Sequence, residues 1–231
     1  MTLYSYIVAH DMGFAPNPFH GVCTLACCKP VVRRACAAGD WIVGITPKRC
    51  GHKLVYAMKV EQKILFEDYW KDYAEKRADL STTMGKCGDN IYEPLGHNRW
   101  RQHPSFHSEP KFSKAREFSL TQEKGKGIQT VQEWDLSGEY VLLAREFVYY
   151  GVDAIELPDG LRDTLPAGRG YRCNFPAETL DAWEDYVKPH LRGRQGYPPS
   201  WGEADGGCPK SVRPGICLPC SPSGGTCDRE K

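Results

Sequence analysis

Gly39-Asp40-Trp41-Ile42-Val43-Gly44-Ile45 is the stretch around which the rest of the chain arranges itself. A glycine followed by an aspartate stops a helix and makes a polar turn, and the β-branched and aromatic run that follows reads as a buried strand. Past a Pro- and Gly-bearing turn, Leu54-Val55-Tyr56-Ala57-Met58-Lys59-Val60 has the same composition, which predicts a neighbouring strand. Upstream, Pro30 suits the first turn of a helix, where a missing N–H is no loss, and Val31, Val32, Ala35 and Cys36 follow at helical spacing. A short helix over about 30–38, with Lys29, Arg33 and Arg34 on its exposed side, therefore feeds the strand through Gly39.

Further out, Leu3 to Val8 predicts a first strand, followed by an ordered loop whose turn residues include Asp11, Gly13, Pro16, Asn17, Pro18 and Gly21. Residues 67–78 fit a charged surface helix carrying Tyr69, Trp70 and Tyr73. From Ser81 to about Gly127 no period of 2 or 3.6 is sustained, and long stretches of that kind are commonly functional or disordered. Tyr140 to Tyr150 is the longest apolar run and reads as one buried strand ending at Gly151. Gly170 to Phe175 predicts another strand, and Leu180, Trp183, Val187 and Leu191 line one face of a closing helix begun near Pro176.

These elements define an α+β domain over residues 1–192, built on a bent mixed sheet or a PUA-like pseudo-barrel with flanking helices. Residues 193–231 form a Gly-, Pro- and Cys-rich tail, either disordered or a small zinc-binding unit. Thirty Lys and Arg stand against 29 Asp and Glu, so no overall field advertises nucleic acid or membrane, and a basic surface must be local. No apolar stretch reaches the ~18 residues of a membrane span, and no basic leader precedes the first strand. Eleven cysteines, two of them adjacent, in a chain without an export signal suggest reduced thiols and a cytoplasmic location.

Five segments carry a more specific signal: Asp11-Met-Gly-Phe-Ala-Pro-Asn-Pro-Phe19, Cys23-Thr-Leu-Ala-Cys-Cys-Lys-Pro30, Gly39-Asp-Trp-Ile-Val-Gly44, Gly88-Asp-Asn-Ile-Tyr92 and Phe147-Val-Tyr-Tyr-Gly151. In this order they resemble the nucleotide-modification-associated domain, type two, over about residues 1–192. The resemblance implies a bacterial or phage family linked to DNA base modification, and implies no particular reaction. The order strand, loop, basic helix, Gly-Asp, strand, strand also resembles, at the level of architecture, the PUA-like EVE, ASCH and YTH readers.

In chemical terms, Phe14, Phe19, Trp41 and Tyr92 could stack on a base, Asn17, Asp40 and Asn90 could read its edge, and Lys29, Arg33, Arg34, Arg169 and Arg172 could meet phosphates. The same aromatics could equally fill the core. An enzyme would draw its base from Asp11, Asp40 or Asp89, with Cys27 or Cys28 as conceivable nucleophiles that are equally small core residues. His97, His103 and His107 with Arg99, Trp100 and Arg101 form a basic-aromatic patch in the irregular segment. Pro104 argues against the helix that would align His103 and His107 as metal ligands.

Cys208, Cys217, Cys220 and Cys227 are a chemically suitable tetrahedral zinc set in the tail, and no other cofactor is expected. The leading expectation is recognition of a nucleotide or modified base in DNA, within a base-modification or phage-conflict system. The alternatives are an enzyme that modifies a nucleotide or base with an Asp general base, and a scaffold that recruits a base-modification enzyme.

Overall fold

The computed structural model describes residues 1–105, 107, 114–120, 130–162, 165 and 170–199. Along the chain these form β1 (Leu3–Ile7), β2 (Cys23–Leu25), α1 (Pro30–Ala35), β3 (Trp41–Ile45), β4 (Leu54–Lys59), β5 (Gln62–Leu65), α2 (Phe66–Asp72), α3 (Thr83–Lys86), β6 (Tyr92–Gly96), β7 (Arg99–Gln102), β8 (Arg116–Ser119), α4 (Val131–Leu136), β9 (Tyr140–Ala144), β10 (Phe147–Tyr149), α5 (Asp159–Arg162), β11 (Tyr171–Arg172), α6 (Ala177–Val187) and β12 (Gly193–Arg194). The protein is α+β, as expected. Its large sheet has the order β11-β1-β3-β4-β10-β12, a middle sheet the order β2-β9-β5 and an outer sheet the order β6-β7-β8. All three are open, so the pseudo-barrel alternative is corrected: among the described residues no sheet closes on itself.

The opening stretch lies at the heart of the large sheet. β3 pairs in parallel with β1, Leu3 opposite Trp41 through Ile7 opposite Ile45, and antiparallel with β4. Strand alternation sorts its side chains cleanly. Leu3, Trp41, Val43 and Ile45 face one way, onto Trp183 and Val187 of α6. Tyr4, Tyr6, Ile42, Tyr56 and Met58 face the other way, onto Cys23, Leu25 and Leu142 of the middle sheet and Val32 of α1. Gly44 has no side chain because a Cβ there would stand 2.2 Å from the Tyr56 ring.

β9 belongs to two interfaces. Leu142 and Ala144 join the cluster under the large sheet, whereas Val141 and Leu143 join Phe14, Phe66, Tyr69, Tyr92 and Trp100 on the other side. The middle sheet is thus sandwiched, and the loops at its end are held from both faces.

Several boundaries differ from expectation. The run 140–150 is two strands: β9 pairs with β2 and β5 in the middle sheet, and β10 pairs with β4 and β12 in the large one. The exposed Arg145-Glu146 pair sits in the bend between the two strands and marks the change of sheet within an otherwise apolar run. Residues 81–127 contain α3, β6, β7 and β8, whose short strands are too polar on one face to register as a period. The folded body also continues past residue 192, where β12 pairs with β10 and Val152 N–H donates to Tyr197 O at 2.8 Å. Cys50 and Cys173 each take part in a disulfide, which corrects the expectation of reduced thiols at those two positions. Among the described residues no helix is long and apolar enough to cross a membrane.

Candidate active site

β2 leads out of the middle sheet into Cys27, Cys28 and Lys29. Cys28 and Lys29 have φ of 59° and 43°, the left-handed region that costs a side-chain-bearing residue of order 1 kcal/mol. Two hydrogen bonds hold this elbow. The Cys28 N–H donates to Asp135 Oδ1 at 2.7 Å, and Arg33 Nε donates to Cys28 O at 2.8 Å. Arg33 is fully buried and also donates to Tyr140 O at 2.7 Å and to Asp135 O. Gly138 leaves it room, since a Cβ there would come within 2.3 Å of the guanidinium carbon. One side chain of α1 thereby ties together the elbow, α4 and the start of β9.

The elbow presents Cys28 to His107 and Asp135. The Cys28 thiol, an imidazole nitrogen of His107 and a carboxylate oxygen of Asp135 all lie within 4.8 Å of one another. His107 Nε2 is 2.7 Å from Asp135 Oδ2, the same oxygen that accepts the Tyr92 hydroxyl at 2.9 Å. Phe14, from the loop after β1, stacks on the imidazole with centroids 4.8 Å apart and planes 12° from parallel. Asp135 sits on α4, whose start is fixed by a capping box between Thr130 and Glu133.

The electrostatics separate two adjacent cysteines. Burial alone would push the Asp135 carboxyl up, but His107, by charge and hydrogen bond, together with Arg33 and the Cys28 amide, holds it below the ordinary carboxylate value. Asp135 is therefore an anion near neutral pH. Cys27 is fully buried, and burial with the charges of Asp135 and Asp89 pushes its thiol well up. Cys27 stays a neutral core thiol, whereas Cys28 is partly exposed beside the imidazole.

Thiolate, imidazole and carboxylate are also the donors that zinc selects, with three protein ligands leaving a position open. Here the carboxylate is already occupied. Oδ1 takes the Cys28 amide and Oδ2 takes Tyr92 and His107, while a guanidinium sits against the same residue's carbonyl. The arrangement matches an orienting carboxylate of a nucleophile, base and acid series better than a metal ligand.

A second polar group lies on the large-sheet side. Asp11 accepts Gly13 N–H at 3.0 Å and the Tyr149 hydroxyl at 2.8 Å, and burial pushes its carboxyl up to about 6 against those two bonds. The Tyr6 and Tyr56 hydroxyls are hydrogen-bonded to each other. Burial pushes Tyr6 up, and the nearby Cys28, Cys23 and Asp11 add to the rise against the bond to Tyr56. The Lys29 ammonium lies 4.4 Å from the centre of the Tyr6 ring.

The other residues singled out from sequence fall elsewhere. Asp40 caps the turn, accepting Thr2 N–H at 2.7 Å and Ala37 N–H at 2.9 Å, and Trp41 faces α6 with 3% of its surface exposed. Asp89 is buried and accepts Thr24 Oγ1 and Tyr69 OH, both at 2.6 Å. Burial raises its carboxyl while Lys76 and those two bonds oppose the rise. Asn17 bridges Cys87 O, Phe19 N–H and the buried Lys76 ammonium, and Asn90 donates to Tyr69 O and Tyr73 O.

These groups are structural locks, not exposed readers. Arg33 likewise is a brace of the fold and not a phosphate partner. Phe19 is buried with the Arg194 guanidinium 5.7 Å from its ring centre. Arg34 donates to Ser137 O and Arg172 lies over Phe175. Arg99 and Arg101 pair with Glu117, Arg101 also with Glu93, and Trp100 is buried, so the basic-aromatic patch is a neutralised sheet. His103 pairs with Glu93 and stacks on Trp70. Arg169 and the cysteines at 208, 217, 220 and 227 lie outside the described residues.

The fold and the cluster define an α+β domain with a cysteine, a histidine and an aspartate drawn together from three separate segments. Its family is identified by a family model, nucleotide modification associated domain 2, that matches residues 1–205, and the chain belongs to that family. No curated protein and no solved structure matches the chain. The family associates the protein with nucleotide modification.

Proposed function

We propose that the protein is an enzyme of nucleotide modification that uses Cys28 as its nucleophile. One observation carries this reading: the thiol of Cys28, the imidazole of His107 and the carboxylate of Asp135 lie within 4.8 Å of one another at a strained elbow. In the reaction His107 takes the thiol proton, Asp135 steadies the resulting imidazolium, and the thiolate attacks an electrophilic carbon of the nucleotide. Thiol-to-imidazole contacts are commonly long before substrate binds and shorten on closure. Phe14 fixes the plane of the imidazole and keeps water from its face.

The reading of the protein as a pure reader of bases draws less support. Its stacking platforms Phe14, Phe19 and Trp41 are 5%, 3% and 3% exposed, and a base cannot stack on rings already packed. The test is a screen of the full chain against free nucleotides and against plain and modified DNA, read by mass spectrometry. A product of altered mass, reduced about 10³-fold or more in Cys28→Ser, is the expected result. Tight binding of a nucleotide with no mass change in any substrate would overturn it in favour of recognition.

A further inference from the structure

The cations that the sequence offers to phosphates meet different fates in the fold. Arg33 is spent on three main-chain carbonyls, Arg34 donates to Ser137 O, and Arg172 lies over the Phe175 ring. Lys29 is left. Among the described residues no carboxylate or carbonyl meets its ammonium, which rests on the face of the Tyr6 ring, 4.4 Å from the centre. Tyr6 is 1% exposed and its hydroxyl is held by Tyr56, so the seat under the ammonium is fixed. A ring face attracts a cation without neutralising it, and the charge stays available to an anion.

Its place in the chain ties this charge to the thiol. Lys29 follows Cys28 directly, so their Cα atoms are about 3.8 Å apart, and both residues are partly exposed. Lys29 has φ 43° and ψ 46°, left-handed like Cys28 before it. Shape alone asks for glycine there, and a lysine is held in the same conformation under strain, as residues at binding sites commonly are. The lysine stem is shorter than a nucleotide. A phosphate on the ammonium therefore leaves its sugar or base able to reach the Cys28 sulfur.

Resting on the reading of Cys28 as nucleophile, we propose that the substrate is held by a phosphate group with Lys29 as its counter-ion, so that nucleotides or the DNA strand are accepted and free nucleosides are not. The elbow sets charge recognition and nucleophile on adjacent residues, and a phosphate docked on one orients the carbon attacked by the other. An ammonium is a point charge without the planar fork of a guanidinium, so it takes a terminal phosphate and a diester alike.

The experiment follows iodoacetamide labelling of Cys28 in the full chain by peptide mass mapping at low salt. The competitors are the deoxynucleoside 5′-monophosphates, the matching deoxynucleosides and a single-stranded oligonucleotide of mixed sequence. A monophosphate or the oligonucleotide is expected to protect Cys28 at a concentration about three-fold or more below that of any nucleoside. Protection by the monophosphates alone assigns free nucleotides as the source of the phosphate, and protection by the oligonucleotide alone assigns the strand. The protection should weaken about three-fold or more in Lys29→Gln, return in Lys29→Arg and fade as salt is raised. The charge is read separately with iodoacetate, an anion. Its labelling rate relative to iodoacetamide should fall about three-fold in Lys29→Gln and in Lys29→Gly. Lys29→Gly also frees the backbone of strain, so a loss in that variant is not a failure to fold.

No protection by any phosphate-bearing probe, protection by nucleosides at the same concentrations, or a ratio of the two reagents unchanged in both variants would overturn the phosphate inference. Labelling that still depends on His107 would then leave the thiol enzyme standing. Labelling independent of His107 would instead overturn the reading of Cys28 as nucleophile. Acetylation of the Lys29 amine tests the anion seat even in that case: the same phosphate probes should slow it, and acetylation at full rate would overturn the seat.

Discussion

His107 Nε2 and Asp135 Oδ2 meet at 2.7 Å with both side chains almost wholly buried, 5% and 1% exposed. The two residues reach each other from the segment after β7 and from α4, and the same carboxylate fixes the Cys28 amide. A carboxylate in that position sets which imidazole nitrogen carries the proton and stabilises the imidazolium formed when a thiol is deprotonated. It also makes the geometry of the nucleophile depend on α4.

Asp135→Asn is the cleanest probe of that dependence. The amide keeps an oxygen for the Cys28 N–H but removes the charge that steadies protonated His107. The rate of turnover or of Cys28 alkylation should fall about 10²-fold, with a circular dichroism spectrum close to that of the parent. An unchanged rate would mean that the carboxylate serves the fold alone.

Arg33→Lys tests the brace. Lysine cannot reproduce a planar fork that donates to Cys28 O, Tyr140 O and Asp135 O together. At least one buried carbonyl is left unmet, at roughly 1–3 kcal/mol each, so urea unfolding should show a loss of about 2–4 kcal/mol. A variant as stable as the parent would show that the carbonyls find other donors.

Lys76→Met examines the neighbouring lock. The Lys76 ammonium is wholly buried and donates to Asn17 O at 3.1 Å, Asn17 Oδ1 at 2.8 Å and Val22 O at 2.6 Å. Burial depresses it to about 8, opposed first by Asp89. Removing it strands those acceptors and the buried Asp89 carboxyl, so denaturation should report a loss of about 3–5 kcal/mol. A double variant Lys76→Met, Asp89→Asn should recover part of that loss, since the uncompensated acid is gone.

Asp11 gives a pH signature of definite sign. Its folded value of about 6 lies above the ordinary 3.8, so between those values the folded protein holds a proton that the unfolded chain has released. Stability is therefore lost as pH rises through that window. Asp11→Asn lacks this loss. The stability of the variant relative to the parent should rise from pH 4 to pH 7, by roughly 3 kcal/mol at most, in denaturant titrations at both pH values. A relative stability independent of pH would contradict the raised carboxyl.

The sequence made the frame of this molecule legible where one signal spoke for each element. Pro30 opens α1, which ends at Ala35 ahead of the Gly39-Asp40 turn that leads into β3, and Pro176 with Leu180, Trp183 and Val187 marks α6. The division of residues 140–150 between two sheets was missed, although the charged pair Arg145-Glu146 interrupts the apolar run at the point where β9 ends and β10 begins. Of the site, Cys28 was legible as a thiol ahead of a helix, and Phe14 and Tyr92 as aromatics in the family segments.

Asp135 was missed, although Thr130-Val131-Gln132-Glu133 has the pattern of a capping box and announces the helix that carries it. His107 could not be paired with Cys28 from sequence, since their meeting depends on how the outer sheet folds over the middle one. Asp40, Asp89, Asn17 and Arg33 misled for one shared reason. Polar residues in family segments are read as exposed chemistry, and here they satisfy buried main-chain groups.

The central claim, that Cys28 is a nucleophile activated by His107 and Asp135, is tested most directly by timing alkylation at each cysteine of the native full chain with iodoacetamide and peptide mass mapping. Cys28 should be labelled far ahead of Cys23, Cys27, Cys36 and Cys87, and His107→Ala should slow it about ten-fold or more while leaving the other four unchanged. Cys28 labelling no faster than those buried thiols, or at the same rate in His107→Ala, would contradict the account.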